Sequence, residues 1–362
     1  MDRYQDINAQ TIDRWIAEGW EWGKPIDHAA YAKAQAGDWQ VLLTPMRPVP
    51  HDWFGDLRGK KVLGLASGGG QQMPILAALG AVCTVLDYSE SQLESERMVA
   101  AREGYDINVV RADMTKPLPF EDGAFDLIFH PVSNCYVREV EPIWRECGRV
   151  LKDGGVLLAG YNNNFVYALD NAEKTLVNTL PFDPTVNPEQ MKQLRDEDGG
   201  VQFSHTLDEQ IGGQIKAGFA ITDFYEDYDS EGGLAEHHVP GYIATRAVKG
   251  GELTAGAYQK EAMALLNPAI RQEDVLLNAV MGLCGEAGEA IDLVKKQRFQ
   301  GHPLDREALI GELGDIAWYL AEAAYGLGVP LEVILRRNLD KLRKRYPAGF
   351  STARSLRRDE KT

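Results

Sequence analysis

The chain has 362 residues, 44% of them hydrophobic and 25% charged, with a formal net charge of −16, which is typical of a globular protein with two or three domains. Residues 1–254 hold 22 Lys and Arg against 39 Asp and Glu, so this acidic half repels phosphate backbones, and no nucleic-acid polymer is expected as a partner. No apolar run is long enough to cross a membrane and no apolar signal segment is present, so we expect a cytoplasmic protein without a membrane partner.

Strands and helices are predicted to alternate through the first two thirds of the chain. Residues 2–57 are predicted to be helical, and five tryptophans lie among them. Seven later segments predict strands: "KVLGLA", "AVCTVLD", "INVVRAD", "FDLIFH", "GVLLAG", "FAITDFYEDY" and "GYIATRAV". This alternation predicts an α/β doubly wound domain with a mostly parallel, Rossmann-like sheet over residues 1–248.

A different pattern begins after the glycine-rich segment "KGGELTAG", residues 249–256, which is predicted to be a linker. Residues 257–362 show helical periodicity and no strand pattern, which predicts an all-α domain. Near its end, basic residues cluster in "RRNLDKLRKR", residues 336–345. Such a cluster is typical either of a solvated helix face or of a surface that binds an anion.

The first predicted strand ends in the glycine-rich turn "SGGG", which precedes a helix. Glycines in this position let the backbone approach a ligand near the helix N-terminus, although packing alone explains such a turn equally well. Met73 stands where the pattern G-x-G-x-x-G has its third glycine, after Gly68 and Gly70, so the NAD fingerprint is incomplete. Asp87 ends the second strand, where a carboxylate can accept hydrogen bonds from ribose hydroxyls, and Asp113 ends the third.

Together these segments resemble the class I S-adenosylmethionine-dependent methyltransferases over residues 61–248. The resemblance lies in "VLGLASGGG", the acid after "TVL", "RADM", "FDLIFHPVSN" and "RVLKDGG". It implies S-adenosylmethionine as the cofactor. In the family the first motif lies beside the methionine and ribose of the cofactor, the acid after the second strand binds the ribose, and the segment that matches "RADM" lies beside the adenine. The implied cofactor residues are Ala66, Ser67, Gly68, Gly70, Asp87, Asp113 and Met114. The chain departs from the family at Gly64, where an acid is usual, and at Ala66, where a glycine is usual.

The methyl acceptor is expected near "HPVSNCY", residues 130–136, just after the fourth strand. His130 is a candidate general base. The alternative is that His130 only shapes the pocket, because methyl transfer to sulfur or an amine often needs positioning more than proton abstraction. In the family, the segment before the first strand commonly caps the acceptor site. We expect a small molecule as the methyl acceptor.

Two pairs of acids mark the predicted all-α domain, in "GLCGEAGEAIDLVKK" and in "GELGDIAWYL". The acids are Glu286, Glu289, Glu312 and Asp315. The members of each pair are three residues apart on one helix face, and none has a Lys or Arg three or four residues away. Partly buried, unpaired carboxylates are costly, so we expect a divalent cation among them, and oxygen ligands without Cys or His favour Mg²⁺. The alternative is a chance arrangement on a solvated helix face.

The spacing E-x-x-E, then 22 residues, then E-x-x-D resembles the MazG-like nucleoside triphosphate pyrophosphohydrolases over residues 258–350. The likeness extends to "FQGH" and "NLDKLRKRYPAGF". It implies that the four acids bind Mg²⁺, with Glu286 and Glu289 as candidate catalytic residues, and that metal-activated water splits a nucleoside triphosphate into monophosphate and pyrophosphate. The residues implied at the substrate phosphates are Asn338, Lys341 and Arg345. The family also implies a homodimer or higher homo-oligomer held by this domain.

The sequence therefore predicts a bifunctional enzyme, with a methyltransferase domain and a nucleotide pyrophosphohydrolase domain. The alternative is a regulatory protein, in which one domain binds S-adenosylmethionine without turnover and the other is a helical dimerisation module. The altered first motif, at Gly64 and Ala66, favours this alternative for the first domain. The complete set of acids opposes it for the second domain.

Overall fold

The computed structural model describes residues 3–250, 254–347 and 349. The chain divides into two compact units, Met1–Glu252 and Leu253–Thr362. The division falls within the predicted linker, of which residues 251–253 lie outside the described residues. Within the described parts of the chain, no helix is long and apolar enough to cross a membrane.

A seven-stranded sheet forms the centre of the first unit. The strands are β1 Lys61–Leu65, β2 Val82–Asp87, β3 Ile107–Arg111, β4 Phe125–His130, β5 Leu151–Asn162, β6 Phe219–Asp227 and β7 Tyr242–Lys249. Their order is β3-β2-β1-β4-β5-β7-β6. β1 to β5 are parallel, and β7 runs antiparallel between β5 and β6. The prediction of a doubly wound α/β domain is confirmed.

Helices pack on both faces of this sheet. The helices of the first unit are α1 Tyr4–Ala17, α2 His28–Gln35, α3 Gln72–Ala78, α4 Glu90–Glu103, α5 Glu141–Val150, α6 Pro188–Asp196, α7 Gly213–Lys216 and α8 Gly233–Glu236. Of these, α2, α3 and α4 lie on one face and α5 lies on the other. Alternate side chains of β1 enter opposite cores, since Val62 packs with Leu76 on one face and Leu65 packs with Trp144 on the other. All four side chains are fully buried. Both faces of the sheet are therefore closed, and the edge at the carboxyl ends of β1 to β5 is where a ligand can enter.

The second unit is built from helices. They are α9 Ala255–Ala264, α10 Val275–Gln300, α11 Arg306–Gly326 and α12 Leu331–Arg345. α10 packs along α11, and Ala321 and Ala324 are fully buried at the centre of the apolar core. The prediction of an all-α domain is confirmed. Many of its large apolar residues are exposed, because a core this small leaves much of each amphipathic helix uncovered.

Candidate functional site

A cavity of about 340 Å³ lies in the first unit at the carboxyl ends of the parallel strands. Its wall includes the turn after β1, the ends of β2 and β3, and the loop after β4. Six of the seven residues expected at the cofactor line it: Ala66, Ser67, Gly68, Asp87, Asp113 and Met114. The sheet therefore brings together residues that are far apart in the sequence, as the carboxyl ends of parallel strands do.

Asp87 is held by the backbone of its neighbours. Its carboxylate accepts hydrogen bonds from the N–H groups of Gly68 at 3.1 Å and Ser89 at 3.0 Å. Burial raises the pKa of the Asp87 carboxyl, and these backbone donors act in the opposite direction. A Cβ on Gly68 would lie 2.6 Å from the Cβ of Gln92, so glycine is required here. The turn is thus fitted closely around the carboxylate.

Gly70 has a structural role outside the cavity wall. Its N–H donates to Glu96 Oε1 at 2.8 Å, and Glu96 is fully buried on α4. The φ of Gly70 is +69°, and a Cβ there would lie 2.9 Å from the carbonyl oxygen of Ser95. Gly70 therefore allows α4 to pack against the turn, and it is the one expected cofactor residue that does not line the cavity, so its contact with a cofactor stays a prediction.

The two departures from the family pattern have physical consequences. Ala66 adopts a φ of +47°, which is costly for a residue with a Cβ and explains why glycine is usual there. A Cβ on Gly64 would lie 2.7 Å from the Sδ of Met73, whose side chain is fully buried. The space that an acid would need at position 64 is thus filled by the methionine that replaces the third glycine.

Unpaired polar atoms are concentrated at the cavity. Among the described residues, seven buried side-chain oxygens have no hydrogen-bond partner, and four of them belong to residues of the cavity wall. These four are Ser67 Oγ, Gln92 Oε1, Asp113 Oδ2 and Asn162 Oδ1. Asp113 uses only Oδ1, which accepts from the N–H and hydroxyl of Thr115 at 2.9 and 2.6 Å. Unpaired buried polar groups cost free energy, so this wall is suited to a polar ligand.

His130, the candidate general base, lies behind the cavity wall rather than in it. Its side chain is fully buried, with Nδ1 2.8 Å from the carbonyl oxygen of Leu65 and Nε2 2.8 Å from the side-chain amide of Asn134. Asn134 is bonded in turn to Gln210. Burial lowers the pKa of His130, and the hydrogen bonds with Leu65 and Asn134 act in the opposite direction. This placement favours the alternative, in which His130 only shapes the pocket, and a role as general base stays a prediction.

The N-terminal segment closes one side of the cavity, as expected from the family. Gln5, Asn8, Ala9 and Ile12 of α1 lie on the wall, and so do Trp20 and Trp22. Asn8 is buried and bridges two segments, since Nδ2 donates to the carbonyl oxygens of Tyr136 and Val201 and Oδ1 accepts from the N–H of Val201. The sequence carries no motif around Asn8 that marks this role.

Three of the four acids in the second unit meet between α10 and α11. Carboxylate oxygens of Glu286, Glu312 and Asp315 lie within 4.8 Å of one another. Glu289 is exposed and stands outside this cluster, although its charge still acts on Glu286. The cluster of three acids, which we call the acidic triad, offers hard oxygen ligands of the kind that Mg²⁺ prefers.

The electrostatics of the triad differ from those of a paired acid on the same helix. Asp292 forms ion pairs with Lys295 and Lys296, and these lower the pKa of Asp292 to about 2. The pKa of Glu286 is raised instead, by partial burial and by the charges of Glu289, Asp315 and Glu312. The triad therefore has uncompensated negative charge, which a divalent cation would neutralise.

The residues expected at the substrate phosphates lie on α12. Asn338 and Lys341 are exposed, and Arg345 is half-buried at the end of the helix. α12 packs against α9 and α11, and α11 carries Glu312 and Asp315. A role for these three residues at the phosphates remains a prediction.

Comparison with known proteins identifies the first unit. Residues 63–159 match a family model described as a methyltransferase domain. The uncharacterized methyltransferase YbaJ of Bacillus subtilis is 41% identical over 249 residues, which are 67% of this chain and 97% of YbaJ. A crystal structure of an S-adenosylmethionine dependent methyltransferase from Mesorhizobium loti matches with a TM-score of 0.45 and 21% identity, covering 55% of this chain and 94% of that one.

The second unit matches a different family. Residues 276–350 match the model of the MazG nucleotide pyrophosphohydrolase domain. Gene 37 protein of Mycobacterium phage L5 is 42% identical over 73 residues, which are 19% of this chain and 64% of that protein. The chain is therefore an enzyme that belongs to the methyltransferase family and carries a MazG nucleotide pyrophosphohydrolase domain after its α/β unit.

Proposed function

We propose that the first unit binds S-adenosylmethionine in the cavity and transfers its methyl group to a small molecule. The observation that carries this proposal is the set of four unpaired polar atoms that belong to residues of the cavity wall. Two of them, on Ser67 and Asp113, belong to residues that the family resemblance assigns to the cofactor. Each unpaired buried group costs about 1–3 kcal/mol, which a polar ligand of matching shape recovers on binding.

The chemistry of the wall fits the parts of this cofactor. The Asp87 carboxylate suits ribose hydroxyls, because each of its oxygens keeps a lone pair after accepting from Gly68 or Ser89. Asp113 Oδ2 suits the exocyclic amino group of adenine, since it has no other partner. The bound cofactor supplies an electrophilic methyl group at a positively charged sulfur. The protein residues hold it and exclude water from the acceptor.

Calorimetry of S-adenosylmethionine binding tests this part of the proposal. Asp87→Ala removes charge-assisted hydrogen bonds of roughly 1.5–3 kcal/mol, so affinity should fall about tenfold or more. Asp106→Ala is the matched control, because Asp106 is an exposed acid just before β3 and does not line the cavity. No binding to the unmutated protein, or equal affinity in Asp87→Ala, would contradict the assignment.

For the second unit, we propose Mg²⁺-dependent hydrolysis of a nucleoside triphosphate to a monophosphate and pyrophosphate. The observation that carries this proposal is the acidic triad, whose neighbouring carboxylates raise the pKa of Glu286. Mg²⁺ held there would activate water and neutralise the phosphates. Asn338, Lys341 and Arg345 are proposed to bind the phosphates as counter-charge and hydrogen-bond donors. Pyrophosphate release across a panel of nucleoside triphosphates, with Mg²⁺ or with EDTA, tests it.

We also propose a homodimer or higher homo-oligomer formed through the second unit. Large apolar side chains are exposed along α10, including Leu277, Met281, Ile291 and Phe299, with exposed fractions from 60% to 80%. A surface of this kind on a monomer marks an interaction site.

We also propose that the protein acts in the cytoplasm, since S-adenosylmethionine and nucleoside triphosphates, its two proposed substrates, are cytoplasmic metabolites.

The regulatory alternative has less support. The altered residues Gly64 and Ala66 favour this alternative only if they disrupt the cofactor site. The Ala66 backbone nevertheless adopts the left-handed conformation typical of glycine, and the cavity is formed. Both halves also match families of enzymes.

A further inference from the structure

The cavity has two ends, set by the order of the strands. Residues that follow β1, β2 and β3 form the end assigned to the cofactor. The other end, which we call the acceptor end, lies over β4, β5 and β7 and includes residues 131–133 and 135–137. Asn162 at the end of β5 and Tyr242 at the start of β7 are paired across the two strands and both line it. This geometry separates the methyl acceptor from the ribose and adenine.

The charges on the wall are confined to two acids. Among the described residues that line the cavity, Asp87 and Asp113 are the only Asp, and there is no Lys, Arg, His or Glu. Both acids belong to the cofactor end. A carboxylate or phosphate on the acceptor would therefore lose its hydration without gaining a cationic partner, which is costly. An anionic methyl acceptor is therefore disfavoured, because the described cavity wall offers it no cationic side chain.

Among the described residues that line the acceptor end, none can take a proton near neutral pH. Burial raises the pKa of the Cys135 thiol to about 12 and raises the pKa of the Tyr136 hydroxyl. Tyr242 has a raised pKa for the same reason, and its hydroxyl donates to Asp229 at 3.1 Å. These groups stay protonated, and His130 is sealed behind the wall. An acceptor that must lose a proton before attack finds no base here.

On these grounds, and resting on the proposed methyl transfer, we propose that the acceptor is an uncharged molecule whose attacking atom carries a free lone pair at neutral pH. A thioether sulfur or a pyridine-type ring nitrogen has this property and attacks without losing a proton. An alkyl ammonium nitrogen has no free lone pair, and a phenol oxygen attacks well only after it has lost its proton. The lone pair forms the new bond to the methyl carbon. The bond from that carbon to the cofactor sulfur breaks, and its electron pair remains on the sulfur. The positive charge moves from the cofactor to the product, and no proton is transferred.

The wall is suited to such a cationic product. Tyr136 and Tyr242 present aromatic rings at the acceptor end, and aromatic faces attract cations. Asn162 Oδ1 is a buried carbonyl oxygen without a partner, so its partial negative charge is uncompensated. The acceptor end therefore stabilises the charge that develops during transfer without an ionised side chain.

Binding of two small probes of similar size tests the inference. Calorimetry on the full-length protein with S-adenosylhomocysteine compares N-methylpyridinium, a cationic product, with benzoate, an anion. We expect N-methylpyridinium to bind at least tenfold more tightly. Equal affinities, tighter binding of benzoate, or no binding of N-methylpyridinium would overturn the inference. Absence of S-adenosylmethionine binding would instead contradict the proposed function, so the two failures are distinguishable.

Methyl transfer to a series of small aromatic acceptors tests which kind of atom attacks the methyl group. The series is methyl phenyl sulfide, pyridine, phenol and benzoate, each supplied with methyl-labelled S-adenosylmethionine. We expect label in the sulfonium or the N-methylpyridinium product, with a rate independent of pH between about 7 and 9, because no described side chain at the acceptor end is a base that titrates in this range. Label in anisole or methyl benzoate, or a rate that rises tenfold per pH unit, would overturn the inference.

Discussion

Single residues in the turn after β1 show how this chain departs from its family while the turn keeps its form. Ala66 keeps the left-handed conformation of the glycine it replaces, and its N–H still donates to the carbonyl oxygen of Leu86 at 2.8 Å. The side chain of Met73 fills the space that an acid at position 64 would occupy, and Gly64 leaves that space free. The backbone of the turn is thus preserved, and the cost is local strain at Ala66.

Ala66→Gly should relieve that strain. An alanine in the left-handed region costs roughly 1–2 kcal/mol, and glycine loses about 0.4–1 kcal/mol through the entropy of the unfolded chain, so the variant should be more stable by up to about 1 kcal/mol. Urea denaturation of the first unit measures this change. Ala101→Gly, at an exposed position inside α4, is the control and should be destabilised by about 1 kcal/mol. A clear loss of stability in Ala66→Gly would contradict the strain argument.

Glu96 should make the stability of the first unit depend on pH. Burial is the main cause that raises the pKa of its carboxyl from 4.5 to about 8, and Oε2 has no partner. Below 4.5 both states are protonated. Between about 4.5 and 8 only the unfolded chain releases the proton, so the folded state loses up to about 1.4 kcal/mol per pH unit relative to the unfolded state.

Glu96→Gln should remove this dependence, since an amide oxygen can still accept from the N–H of Gly70. Unfolding free energies of both proteins at pH 5, 6, 7 and 8 provide the measurement. The wild type should lose stability relative to the variant as the pH rises. Parallel curves for the two proteins would show that Glu96 is not protonated in the folded state.

At the scale of elements, the pairing of α10 with α11 decides which acids meet. Residues three apart on a helix differ by about 60° in direction, so Glu286 and Glu289 cannot face α11 equally. The spacing in the sequence predicts a shared face but does not indicate which member of the pair is turned towards the neighbouring helix. In the structure Glu286 joins Glu312 and Asp315, and Glu289 remains exposed.

Glu312→Gln should therefore weaken Mg²⁺ binding and nucleotide hydrolysis more than Glu289→Gln does. Gln keeps the shape of Glu but removes one charge from the triad, so the metal-free protein should melt at the same or a higher temperature. Mg²⁺ titration and melting in EDTA provide the measurements, with Glu307→Gln on the exposed first turn of α11 as control. If Glu289→Gln weakened Mg²⁺ binding as much as Glu312→Gln or more, Glu289 would be a metal ligand and this prediction would be wrong.

The elements themselves could be predicted from local pattern, whereas several roles at the site could not. Alternating apolar segments predict the strands, and the turn glycines with Asp87 and Asp113 predict the cofactor end. Those features are local or follow from the fixed relation between parallel strands. The enclosure of His130 depends on Leu65 and Asn134, and the cavity wall also takes in Asn8. Such contacts depend on packing between distant segments, which no spacing in the sequence encodes.

At the scale of the whole molecule, the exposed apolar surface of α10 predicts assembly. Sedimentation should show a dimer or higher oligomer at micromolar concentration, because burial of this surface contributes about 25 cal/mol per Å². Met281→Lys places a charge on the surface and should shift the protein towards monomer. Phe224→Lys, at an exposed position of β6 in the first unit, is the control and should leave assembly unchanged. A monomeric wild type would contradict the prediction.

We propose that one chain carries two separable enzymes, a methyltransferase and a nucleotide pyrophosphohydrolase, and an assay of pyrophosphate release tests this separation. Pyrophosphate release from a panel of nucleoside triphosphates is measured with Mg²⁺ for the wild type, Glu312→Gln and Asp87→Ala. We expect release by the wild type and by Asp87→Ala, which carries its change in the methyltransferase cavity, and at least a hundredfold loss in Glu312→Gln. Release by Glu312→Gln at the wild-type rate, or no release from any nucleotide by the wild type, would contradict the account.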